Sequence, residues 1–261
     1  MKNYFVALAF MAVLLPVACA CGTPEPARSG DGDPLPGNPG AKSYKNPVFR
    51  EFLVADPTVI RAEDGNFYLY ATESGKNNIP ILRSSDLVNW TKVGEVFTAE
   101  NHPQITDKAG ANLWAPDINK IGDRYVLYYS QPGENNKHAI GVASGPSPVG
   151  PFTDHGKLIG SDEIGVDISI DQFYIEEDGH KYMFWGSFRG IWAIELADDG
   201  LSLKPGAGKR KIAGDQYEGT YIHKRDGYYY LIVSTGDFMK DYHVVVGLSL
   251  IHISEPTRRV V

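Results

Sequence analysis

Cysteine is nearly absent from this chain. Only Cys19 and Cys21 occur in 261 residues, both near the N-terminus. The body therefore holds neither a disulfide framework nor a cysteine-ligated zinc site. The seven histidines show no metal-ligand spacing. Clusters of Lys and Arg are missing too: with 32 acids against 25 bases and a formal charge of −7, no basic patch is available to a nucleic acid or an anionic membrane. Helical periodicity is scarce. Glycine (28) and tyrosine (15) are plentiful instead, a composition suited to short strands joined by tight turns.

The one long apolar run, Tyr4 to Ala18 after Lys2, has the length of a signal-peptide hydrophobic region and falls short of the ~20 residues of a spanning helix. It ends in Val17-Ala18-Cys19-Ala20-Cys21, which resembles a bacterial lipoprotein leader with Cys21 as the lipidated residue and Cys19 as the alternative. An ordinary cleaved signal ending Ala18-Cys19-Ala20 is the other reading. Residues 22–43 hold five prolines and five glycines, too little apolar surface to offset the entropy of ordering, and read as a spacer. The organisation expected is a leader over 1–21, a linker over 22–45, a folded body over 46–247 and a tail over 248–261. The protein is expected to be exported and held at the cell envelope by its lipid, which is its only expected contact with a membrane, or otherwise to be periplasmic or secreted.

From Asn46 onward one pattern recurs: an acid in an apolar stretch, a glycine turn, then an aromatic-rich strand. Its four copies carry Asp56 before Asp64-Gly65, Asp117 before Gly122-Asp123, Asp171 before Asp178-Gly179 and Glu218 before Asp226-Gly227. The turn glycines repeat about every fifty residues, the range of propeller blades. Further strand-like pieces follow each hairpin, such as Ile79 to Arg83 and Ile191 to Leu196. Four short strands per repeat describe an all-β propeller with about four blades present. In such a ring the innermost strand of each blade lines the channel, so acids at one place in successive repeats converge on the axis. Turn geometry accounts for Asp64, Asp178 and Asp226. It does not account for Asp56, Asp117, Asp171 or Glu218, where a charge among apolar neighbours is costly without a purpose.

These segments resemble glycoside hydrolase family 43, the five-bladed propeller enzymes that cleave arabinofuranosides and xylosides. The resemblance is carried by Asn46-Pro47-Val48 with Ala55 to Ile60, Ser84 to Trp90, Trp114-Ala115-Pro116-Asp117-Ile118, Gly150-Pro151-Phe152, Ile170-Asp171 with Tyr182 to Gly186, and Glu218-Gly219-Thr220 with Gly227 to Leu231. Related sucrose and fructan hydrolases carry an Asn-Asp-Pro-Asn-Gly block and a Glu-Cys pair, and neither occurs here.

The resemblance implies an inverting mechanism with three carboxyl groups. Asp56 would be the general base, Glu218 the general acid, and Asp171 the neighbour that keeps the acid protonated and oriented. The family often has Asp-Pro/Ala-Ser where this chain has Asp171-Gln172-Phe173, one residue shorter before the turn, which leaves Asp167 as the alternative to Asp171. Strand parity would let both face the channel. Trp114 and Asp117 would line the channel and contact a sugar, or else pack and bond the backbone. Trp90, Trp185 and Trp192 read as core. No cofactor is required, although a structural calcium or other ion on the channel axis belongs to the complete family pattern.

The expected substrate is a plant cell-wall polysaccharide or oligosaccharide, with hydrolysis of α-L-arabinofuranosyl linkages in arabinan or arabinoxylan. The alternatives are a β-xylosidase and a non-catalytic carbohydrate-binding propeller. Residues 248–261 do not resemble the family and read as a translated adapter fused to the frame, or else as a divergent strand.

Overall fold

The computed structural model describes residues 44–249. They form four antiparallel sheets, each a meander in chain order. The first contains β1 (Thr58–Arg61), β2 (Phe67–Tyr70), β3 (Pro80–Ser84) and β4 (Thr91–Glu95). The second contains β5 (Trp114–Ile121), β6 (Arg124–Gln131), β7 (Ala139–Gly145) and β8 (Thr153–Gly160), followed by a single helical turn, α1 (Ser161–Ile164). The third contains β9 (Phe173–Glu177), β10 (His180–Trp185), β11 (Ile191–Leu196) and β12 (Arg210–Ala213). The fourth contains β13 (Glu218–Arg225), β14 (Tyr228–Thr235) and β15 (His243–Ser249). The innermost strands touch in sequence, β1 with β5, β5 with β9 and β9 with β13, so the sheets are four blades of a β-propeller.

Strand parity explains the packing. In β6, Tyr125, Leu127 and Tyr129 pack with Tyr68, Tyr70, Ile79 and Ile81 of the first blade. Their neighbours Val126 and Tyr128 pack with Tyr174, Met183 and Trp185 of the third. A strand buried on both faces is apolar at every position, which is why β6 reads as an unbroken run rather than an alternation. The third interface joins Phe184, Ile191 and Ile212 to Ile222, Leu231 and Val233. Within the second blade the Tyr129 ring lies across its strand partner Gly141 closely enough to demand glycine there: a Cβ would stand 2.2 Å from the ring.

The Asp-Gly turns behave as their chemistry requires. Asp178 and Asp226 take φ 51° and 52°, each before a glycine at φ 79°, the double positive-φ signature of a tight hairpin. Asp64 instead uses its carboxylate to accept from the Asn66 amide and the Tyr68 hydroxyl. Trp185 is fully buried, while Trp90 and Trp192 are partly buried, the latter beneath the ammonium groups of Lys209 and Lys211. The expected boundary at 247 falls inside β15, where Leu248 and Ser249 pair with Tyr230 and Tyr229. The leader, Cys19, Cys21, the linker up to residue 43 and residues 250–261 lie outside the described residues.

Candidate active site

Each innermost strand carries, at or just before its start, a residue in the left-handed region: Asp56 (φ 48°), Ala115 (φ 42°), Asp171 (φ 58°) and Gly219 (φ 64°). In β5 and β13 this residue lies within a register shift, between Trp114 and Asp117 and between Glu218 and Tyr221. The conformation costs a non-glycine residue of order 1–3 kcal/mol, and strain of this kind gathers at functional sites. Equivalent placement makes Asp56 and Asp171 counterparts, gives the second blade Ala115 in their stead, and sets Glu218 one residue ahead of Gly219.

The expectation of an acid at the same place in all four repeats is therefore corrected for the second. Asp117 lies two residues beyond Ala115 and is buried. Its Oδ2 accepts from the Tyr174 amide at 2.7 Å and from Asn119 Nδ2 at 3.0 Å, tying β5 to β9. Burial pushes its carboxyl up to about 6, held back by those two bonds and by Thr58.

The other three acids meet. Asp56 is exposed, and its Oδ2 accepts from Thr72 Oγ1 at 2.6 Å. Glu218 is half-buried. Ser187 Oγ donates to its Oε2 at 2.6 Å and the Tyr242 hydroxyl to its Oε1 at 2.9 Å, and a backbone bridge between Ser187 and Glu218 pins the exit of β10 to β13. Asp171 lies within electrostatic reach of both. Dense enclosure of its carboxyl, then the carboxylates of Glu218 and Asp56, push it up to about 8 against a lowering bond from the Gly219 amide. Asp171 is thus the member of the cluster whose charged form the site disfavours.

Asp167 does not join them. It is exposed beyond α1, and its charge acts on Lys137. Ile168 takes φ 54° between the two acids, which breaks the extended parity that would have aligned them.

Trp114 is half-buried and meets the His138 ring edge-on at 6.2 Å between centroids. Its approach is fixed by Glu73, whose carboxylate accepts from the Leu113 amide at 2.9 Å and faces His102 Nε2 at 2.9 Å. Thr72, Ser187 and Tyr242 carried no signal in the sequence, because each reaches the acids from a neighbouring strand or loop. Among the described residues no group of three or more His, Cys, Asp or Glu side chains could hold a metal ion.

Comparison with known proteins agrees with this geometry. The model of glycosyl hydrolases family 43 matches residues 44–256. The chain is 34% identical over 194 residues to extracellular endo-α-(1→5)-L-arabinanase 1 of Bacillus subtilis, covering 70% of this chain and 59% of that one. It is 34% identical over 187 residues to arabinan endo-1,5-α-L-arabinosidase C of Emericella nidulans, covering 67% of this chain and 56% of that one. The chain thus spans less than two thirds of the length of these curated relatives. Among solved structures, native arabinanase of Bacillus subtilis superposes with a TM-score of 0.65 at 29% identity over 76% of this chain and 73% of that one. The α-L-arabinanase of Cellvibrio cellulosa complexed with arabinohexaose gives 0.62 at 28% identity over 76% and 71%.

Proposed function

The chain belongs to glycosyl hydrolases family 43, and on that premise we propose that the whole protein cleaves the α-1,5-linked L-arabinofuranosyl backbone of arabinan with inversion. The observation that carries this reading is the meeting of Asp56, Asp171 and Glu218 in one electrostatic cluster, in which enclosure and the two neighbouring carboxylates push Asp171 up to about 8. Arabinan-cleaving relatives support the substrate class over a xyloside.

In this mechanism Asp56, exposed and with Thr72 donating to it, takes a proton from a water on one face of the anomeric carbon. Glu218 gives a proton to the leaving oxygen on the other face. Ser187 and Tyr242 fix the direction of that carboxyl. Asp171 stands within electrostatic reach of that carboxyl, and like charge between the two favours keeping a proton on the acid. Trp114 offers its apolar face to a pentose ring.

Export through the leader, with a lipid on Cys21 and residues 22–45 as tether, completes the proposal; the related Bacillus subtilis enzyme is named extracellular. The test is product analysis on linear arabinan, arabinoxylan and aryl β-xylosides. Arabino-oligosaccharides released from linear arabinan support the reading. Turnover confined to xylosides overturns it.

A further inference from the structure

Gln172 is buried beside Asp171, and its amide is used at both ends. Nε2 donates to the Ala115 carbonyl at 2.5 Å, and Oε1 accepts from the Ser130 hydroxyl at 2.7 Å. Because a carbonyl can only accept, the orientation of the amide is fixed. The fully buried Ser130, having spent its hydrogen on Gln172, accepts the Asp171 amide at 3.1 Å. On the far side, the Ala115 amide donates to Thr72 Oγ1 at 2.9 Å, and that hydroxyl donates onward to Asp56 Oδ2 at 2.6 Å.

Five hydrogen bonds thus run from the backbone of Asp171 to the carboxylate of Asp56. They pass through the second blade, which places Ala115 where its neighbours place Asp56 and Asp171. Each of the two hydroxyls accepts one of these bonds and donates the next, so displacing one link displaces the rest. The proline or alanine of the family pattern after this acid has no side-chain amide and cannot form this strut.

We propose that Gln172 is a positioning residue that sets the placement of Asp171 against Asp56 across the channel, with Ser130, Ala115 and Thr72 as its relay. The inference rests on the hydrolase reading above for its kinetic consequence, though not for its geometry.

The test uses the full chain with Gln172→Met, which keeps length and loses both polar ends, and Ser130→Ala, which removes a single oxygen and guards against a folding failure of the first. Steady-state kinetics on linear arabinan, thermal unfolding and a ¹³C titration of the Asp171 carboxyl are measured for each. A misplaced reacting group costs up to about 10²-fold, so kcat should fall about 10–100-fold with KM within about twofold. The Asp171 titration should move down as its enclosure and the pull of Asp56 weaken. Failure of the wild-type chain to cleave arabinan would refute the hydrolase reading alone, and the titration would still decide the strut. A folded variant of either kind with unchanged kcat, or in an inactive wild type an unchanged Asp171 titration, overturns the proposal.

Discussion

Tyr242 donates its hydroxyl to Oε1 of Glu218 at 2.9 Å, from the connection between β14 and β15, directly before β15. Enclosure first, and the hydrogen bonding and charge of Glu218 after it, push the phenol up to about 12, so it remains a donor throughout the working range. A donor to a carboxylate favours its ionised form. Tyr242→Phe should therefore move the descending alkaline limb of kcat/KM to higher pH and lower kcat/KM about tenfold, the loss expected of one hydrogen bond to a charged group. A pH profile superimposable on that of the wild type would contradict this role.

Asp56 and Glu218 should separate by leaving group. Asp56→Ala removes the proposed water-activating base and should cost ~10²–10⁴ on every substrate. Glu218→Ala should cost as much on arabino-oligosaccharides and far less on aryl arabinofuranosides, whose leaving groups need no proton. Parallel losses on both substrates for Glu218→Ala would exchange or abolish the assignment.

Asp171 links catalysis to stability. Its carboxyl is raised from 3.8 to about 8 on folding, so the folded chain binds more protons than the unfolded one between those values, and stability is lost as pH rises through that window. Asp171→Asn removes the penalty. It should match the wild type near pH 4 and exceed it at pH 9 by at least about 4 °C in Tm, since one kcal/mol moves Tm by about 2–4 °C in a chain of this size. In kinetics the same variant should draw the alkaline limb down, opposite to Tyr242→Phe, because the remaining acid loses a like-charged neighbour. Melting curves displaced equally at both pH values would argue against a buried charge at this position.

Asp117 should behave as a tie between blades. Asp117→Ala leaves the buried Tyr174 amide without an acceptor, a loss of about 1–3 kcal/mol. The expected result is a clear fall in Tm with KM on arabinan unchanged. A raised KM at unchanged Tm would instead assign Asp117 to sugar binding.

The blades were legible because their signals are local: the Asp-Gly pairs at 178–179 and 226–227 dictate tight turns, and aromatic strands flank them. Asp56 and Glu218 stand out in the sequence through the repeat together with the family resemblance, and the structure brings both to Asp171. Asp117 was misaligned with them although a signal existed. Asp56, Asp171 and Glu218 stand nine, eight and nine residues before their turn glycines, and Asp117 only five. Taking that spacing as register points to Leu113 or Trp114, just ahead of the left-handed Ala115, and not to Asp117. The choice between Asp167 and Asp171 turned on the left-handed Ile168, which no propensity marks, since an isoleucine there is held only by its surroundings. Thr72, Ser130, Gln172, Ser187 and Tyr242 were silent because their partners come from other strands and loops, and one sequence does not encode those pairings in any local pattern.

The most direct test of the account is ¹H NMR of the first product released from linear arabinan, followed before mutarotation. A water activated by Asp56 opposite the proton given by Glu218 must invert the anomeric carbon, so the α-linkage should yield the β-anomer first, and Asp56→Ala should abolish its appearance. Initial release of the α-anomer would contradict the arrangement of base and acid on which the account rests.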